Sequence, residues 1–230
     1  MNILNRLLGY ERTRLRLLKK APAGPLRDYL SVPFPDMRAP IAETPMLSLD
    51  FETTGLMPSK DQILSAGYLN IDRNEIILKS AHHTIIETQG ALSEQNVVIH
   101  QITDDRKDLG ESLEQAVSDL LQALTGRVML VHFARIERNF LNHACIKLYG
   151  MAPVYPIIDT FALAKQRLEM KSAGFDPSEL RLSALRNSAS LPRYSAHNAL
   201  TDAIATAELF FAEVAMMNSK QSPTLKSLLL

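Results

Sequence analysis

Cysteine is almost absent from this 230-residue chain, and tryptophan is missing altogether. The single Cys145 excludes an internal disulfide and any cysteine-built zinc cluster. It lies in an apolar helical stretch and reads as a small buried hydrophobe. Net charge is also lacking, because 25 Lys and Arg balance 25 Asp and Glu. That balance leaves nucleic acid open as a partner, since an acidic metal site with basic flanks sums to zero. No apolar run approaches the ~20 residues of a membrane span. Arginines interrupt the N-terminus where a signal-peptide core would lie. The expected home is a reducing cytoplasm. The length suits one domain with a short appendage, enough to bury roughly 70% of the unfolded surface without staples.

What is present divides into three parts. In residues 1–20, Ile3, Leu4, Leu7, Leu8, Leu15 and Leu18 recur at helical spacing among Arg6, Arg12, Arg14, Arg16, Lys19 and Lys20. This pattern predicts a basic amphipathic helix docked on the main domain with its charges in water. The alternative is contact with a nucleic-acid backbone or an anionic surface. Residues 21–45 carry Pro22, Pro25, Pro33, Pro35, Pro40 and Pro45, which predicts an extended surface linker. The main domain is expected over 46–218. Strands are expected at 46–51, 63–71, 75–86, 128–131 and 157–158, with a turn at Asp72, Arg73 and Asn74. Helices are expected at 111–124, 136–148, 160–169, 180–188 and 198–217. Hairpin strands followed by alternating strands and helices give an α/β fold, a mixed five-stranded sheet flanked by helices. In the tail, 219–230, Ser222 and Pro223 look like the N-cap and first residue of a short apolar helix packed back on the domain.

Chemistry concentrates in three acidic runs. In LSLDFETTGL, Asp50 and Glu52 stand two apart at the end of an apolar strand, so both point to one face. Like charges that close repel unless a cation lies between them, and hard divalent ions take oxygen ligands. In LVHFARIERNFL, a buried strand ends at His132 and Glu137 falls in the first turn of the next helix. A helix N-terminus favours an acid there in any case. In AHNALTDAIATAELFF, Asp202 lies in the first turns of an alanine-rich helix. Asn198 is a good N-cap, which leaves His197 in the preceding loop and free to enter a cleft. All these residues lie at strand ends or helix starts, the edge at which α/β sheets bind ligands. Four carboxylates without thiolates suit Mg²⁺ or Mn²⁺ rather than zinc. Two such ions ~4 Å apart clamp a phosphodiester, and a histidine near neutrality can take a proton from water.

These three runs, in this order and spacing, resemble the motifs of the DEDDh (DnaQ-like) 3′–5′ exonucleases, the family that includes proofreading subunits of bacterial replicative DNA polymerases. Two further segments, IHQIT at 99–103 and IIDTFALA at 157–164, resemble its connecting segments. The resemblance implies a ribonuclease H-like fold, here with an N-terminal helical extension. It also implies two-metal hydrolysis of a DNA or RNA 3′ end to mononucleotides. Asp50 would bridge both ions, Glu52 and Asp202 would hold the ion nearer the attacking water, and Glu137 would serve the second. His197 would be the general base. The backbone from Thr53 through Thr54 and Gly55 to Leu56 would cradle the terminal nucleotide, with Leu56 wedged against its base. The chain departs from the family pattern twice. Glu137 stands where aspartate is usual, adding about 1.5 Å of reach. Phe133 stands where many relatives have asparagine and offers a stacking surface. DNA is the favoured substrate. The alternatives are an exoribonuclease on the same scaffold, or a non-catalytic nucleic-acid-binding module. Whether the chain works alone, as a homodimer or on a polymerase stays open.

Overall fold

A computed structural model describes residues 9–88, 109–171, 174–195, 197–217 and 222–230. Five strands form one sheet in the order β3-β2-β1-β4-β5. β1 (Met46–Thr53), β2 (Ile63–Asp72) and β3 (Glu75–Ile85) form an antiparallel meander, while β4 (Val128–Val131) and β5 (Ile157–Asp159) run parallel to β1. The turn between β2 and β3 places Arg73 and Asn74 at positive φ, as a tight hairpin requires.

The alternation of β1 sorts the molecule into two layers. Leu47, Leu49 and Phe51 enter a core with α3 (Leu113–Leu124) and α4 (Arg135–Tyr149). Met46 enters the opposite core, with Phe210 and Ala207 of α7 (Ala199–Met216). Ser48, Asp50 and Glu52 therefore face α7. Between β5 and α7 lie α5 (Thr160–Lys171), a 3₁₀ turn (Pro177–Leu180) and α6 (Leu182–Ser188). The strands and helices expected from residue 46 onward lie within a few residues of these spans. The IHQIT segment falls outside the described residues. Cys145 is buried and free, as its apolar setting implied. No described helix is long and apolar enough to cross a membrane.

The first 45 residues differ from expectation. The segment with half of the prolines is not simply extended, since Pro25–Ser31 forms α2 and buries Leu26, Tyr29 and Leu30. Pro25 occupies the first helical turn, where a missing N–H costs nothing, and Tyr29 donates to Val154 O at 3.0 Å. The preceding α1 (Tyr10–Leu18) is also rotated from the expected phase. Arg14 is buried, donating to Leu30 O and paired with Glu11, whereas Leu15 is exposed. The charges of this helix are thus not all in water. A guanidinium satisfied by a carbonyl and a carboxylate can occupy a site that the apolar pattern assigned to leucine. Residues 1–8 lie outside the described set.

The tail forms α8 (Leu225–Leu228), capped at Thr224 rather than Ser222, with Leu225 and Leu228 buried. Its backbone bonds to Ala39, Met37 and Ile157 carbonyls, and Leu229 bridges Ile158. The open edge of β5 is thereby covered.

Candidate active site

Asp50, Glu52 and Asp202 meet. Each offers a carboxylate oxygen, and those atoms lie within 4.8 Å of one another. Two local features bring the helix acid to the strand acids. Gly67 lies directly across β2 from Asp50, and a Cβ there would stand 2.1–2.4 Å from backbone atoms of Ala199 and Leu200. Only glycine lets the start of α7 approach so closely. One turn on, Ser48 Oγ donates to Ala203 O at 2.7 Å. A register shift between Glu52 and Thr53 interrupts the β1–β2 ladder at the site, a common device beside active sites.

Asn198 caps α7 by accepting from Thr201 N–H at 3.1 Å. His197 precedes the helix as expected, in a left-handed conformation (φ 69°), and its backbone N–H donates to Asp202 Oδ2 at 2.9 Å. Thr53, Thr54, Gly55, Leu56, Phe133 and Glu137 line the same cleft as the three acids and His197. Its volume is about 1420 Å³, beyond the ~300–1,000 Å³ usual for small-molecule pockets. Asp61 folds the Thr54–Leu56 turn by accepting from Met57 N–H at 2.7 Å. Leu56 stands out from the fold, 74% exposed.

The electrostatics are those of carboxylates crowded together in a largely buried site. Burial, then the Glu137, Glu52 and Asp202 carboxylates, hold the Asp50 pKa well above the usual range. Burial pushes Glu137 up to about 8; its own backbone and that of Phe51 oppose this, while Asp159 and Glu52 add to it. Asp202 is raised by burial, against the pull of the His197 N–H. Glu137 Oε2 is buried with no hydrogen-bond partner among the described residues. Converging carboxylates and a buried orphan oxygen fit a divalent cation.

Sequence reasoning missed Asp159, although it lies in the IIDTFALA run. From the end of β5, its Oδ1 accepts the N–H groups of Phe133 (2.9 Å) and Phe161 (3.0 Å), and its Oδ2 accepts Ala134 N–H at 3.0 Å. α4 has no side-chain cap of its own, so Asp159 caps it from another strand and sets the helix that carries Glu137. It also holds Phe133 at φ 73°, an unusual conformation for a non-glycine residue. The Phe133 ring meets Phe161 edge-on at 5.1 Å. His132 borders the cleft, but its nitrogens are engaged by Thr160 Oγ1 and Leu180 O, and burial lowers its pKa.

A family model described as Exonuclease (RNase_T) matches residues 47–210. The chain belongs to that exonuclease family. It is 31% identical over 191 residues to the DNA polymerase III subunit epsilon of Treponema pallidum, covering 79% of this chain and 86% of that protein. It is 33% identical over 169 residues to the PolC-type DNA polymerase III of Thermotoga petrophila; the match covers 74% of this chain but only 12% of that much longer protein. The fold resembles the nuclease domain of 3′hExo, a DEDDh family member bound to rAMP. There the TM-score is 0.65 at 14% identity, over 78% of this chain and 96% of that one. The family resemblance carried by the three acidic runs, and the ribonuclease H-like sheet it implied, are thereby borne out. The chain carries an exonuclease domain.

Proposed function

We propose that this exonuclease domain, taken as residues 46–218, hydrolyses DNA from the 3′ end to nucleoside monophosphates, with two Mg²⁺ or Mn²⁺ ions. The observation that carries the reading is the convergence of Asp50, Glu52 and Asp202 within 4.8 Å, in a cleft that Glu137 also faces. Asp50, Glu52 and Asp202 would hold one ion, and Asp50 with Glu137 the other. Such ions, when bound, neutralise developing charge on the phosphoryl oxygens and acidify water. The water oxygen bonds to phosphorus as the P–O3′ bond breaks. His197 takes the water's proton on its imidazole, placed by its own N–H bond to Asp202. The backbone from Thr53 to Leu56 seats the terminal nucleotide, Leu56 wedges against its base, and the Phe133 ring offers a face for stacking.

DNA is favoured because the Treponema relative is named as a subunit of a DNA polymerase, which also makes a polymerase the preferred partner. Location in the cytoplasm follows from the same reading. The test is mononucleotide release from 3′-labelled single strands of matched DNA and RNA with Mn²⁺. Wild type should digest DNA faster, and Asp50→Ala should release nothing while keeping a cooperative melting transition. Preferential digestion of RNA would make the domain an exoribonuclease, and an inert wild type would leave it a binding module.

A further inference from the structure

We propose that Arg186 is a positioning residue for hydrolysis, clamping the segment that bears His197 onto the helix that bears Asp202. The proposal rests on the reading of His197 as the general base. Arg186 lies on α6 and is 4% exposed. Its guanidinium works in three directions at once. Nη1 donates to Ala205 O at 2.7 Å, one turn along α7 from Asp202. Nη2 donates to Pro192 O at 2.8 Å, in the segment that leads to His197, and forms an ion pair with Glu208 Oε2 of α7 at 2.8 Å. The plane also sits 4.5 Å over the Tyr194 ring. Tyr194 closes the arrangement by donating its hydroxyl to Glu208 Oε1 at 2.8 Å.

Pro192 and Tyr194 are thus fastened to α7 only a few residues before His197, and the His197 N–H is fastened to Asp202. Between them these contacts hold the chain at Pro192, at Tyr194 and at the backbone of the base itself. A buried charge satisfied on every side costs less than one left unpaired, but it rarely outperforms a well-packed apolar side chain in stability. Stability alone is a weak reason for an arginine here. A planar five-donor fork that joins two carbonyls, a carboxylate and a ring has a better use in geometry. A displacement of ~1 Å at a reacting group costs on the order of 100-fold in rate.

The test is a double-mutant cycle on the full chain, combining Arg186→Lys and Tyr194→Phe separately with His197→Ala. The readouts are kcat and KM on a 3′-labelled oligonucleotide at saturating Mn²⁺, with melting curves with and without Mn²⁺. Lysine keeps the charge but loses the fork, so kcat should fall by ~10–100-fold. KM should stay within ~3-fold and the Mn²⁺-dependent melting shift should persist. Tyr194→Phe keeps the ring, loses the tie to Glu208, and should cost ~3–10-fold in kcat. In the His197→Ala background neither change should slow the enzyme further, because residues acting as one unit are not additive. If the losses multiply while His197→Ala is itself slow, Arg186 is structural and the clamp is overturned. If His197→Ala runs at full speed, the general-base reading falls and the clamp with it. Should Arg186→Lys fail to fold, the Tyr194→Phe cycle decides by the same criteria.

Discussion

The two sides of the cleft gather their acids by different means. On the β1–α7 side, Asp50 and Glu52 come from one strand face, and Asp202 is brought to them by direct packing of helix on sheet through Gly67 and Ser48. On the β4–α4 side, Glu137 is placed through backbone capping by Asp159, a residue 22 positions further along the chain. The first side carries the runs that resemble the family motifs closely. The second carries both departures, Glu137 and Phe133. Close packing of strand and helix backbones leaves little room for change, whereas an acid in the first turn of a helix whose start is set by a cap can tolerate a longer side chain by small shifts of that cap. The contrast can be broken from either side.

Removing an acid from the packed side should have the largest effect. Asp50→Ala, or Asp202→Asn, should lower kcat by ~1,000-fold or more, since several kcal/mol of charge stabilisation depends on the held cation. The melting shift expected from Mn²⁺ in wild type should vanish with it. Next is the packing itself. Gly67→Ala places a methyl group against Ala199 and Leu200 backbone, so α7 must move away from β2. Overpacking of this kind costs ~1–3 kcal/mol of stability, and the displaced Asp202 should cost roughly 100-fold in kcat. A variant as active and stable as wild type would show that α7 is not held by this contact.

On the capped side the expected effect is smaller. Asp159→Asn has one acceptor oxygen in place of two, leaving an N–H of Phe133, Ala134 or Phe161 unpaired, worth ~1–3 kcal/mol. Loosening of α4 should slow turnover by ~10-fold while the ion proposed at Asp50, Glu52 and Asp202 keeps its affinity. Isothermal titration of Mn²⁺ beside single-turnover kinetics separates the two. Equal weakening of both metal sites would mean that Asp159 supports the whole cleft rather than one side.

How much of this was legible in the sequence follows the same division. Strand alternation and helical periodicity located the elements from residue 46 onward. Asp50 with Glu52, and Asp202 behind Asn198 and His197, were readable because spacing within one element fixes their direction. Asp159 was not readable as a cap, because its partners lie 25 and 26 residues away in sequence and capping leaves no period. Gly67 carries no local signal, since the need for it comes from a helix that starts more than a hundred residues later. Arg186 and Arg14 resemble surface charges on short helices, and only tertiary partners explain their burial. The proline count of residues 21–45 misled because Pro25 stands at a helix start, the one place where proline is welcome.

The smallest effect distinguishes the two sides by proton rather than by rate. Folding raises Glu137 from an ordinary carboxylate value of 4.5 to about 8, and Asp50 moves the same way. The folded protein without metal therefore holds these protons more tightly than the unfolded chain. Its stability from this source is full below the unfolded value and is lost as pH rises towards 8, by at most about 1.4 kcal/mol per pH unit for each proton. A bound cation reverses the preference, because it needs the charged carboxylates, so Mn²⁺ affinity should rise over the same range with release of protons. Melting curves in EDTA should fall between about pH 5 and 8 and should flatten or rise in Mn²⁺. Glu137→Gln, which cannot ionise, should remove its share of the EDTA slope and leave the part of the Asp50 share that comes from burial. A Glu137→Gln curve as steep in EDTA as that of wild type would show that Glu137 is solvated, and that the β4–α4 side opens to water in a way the packed side does not.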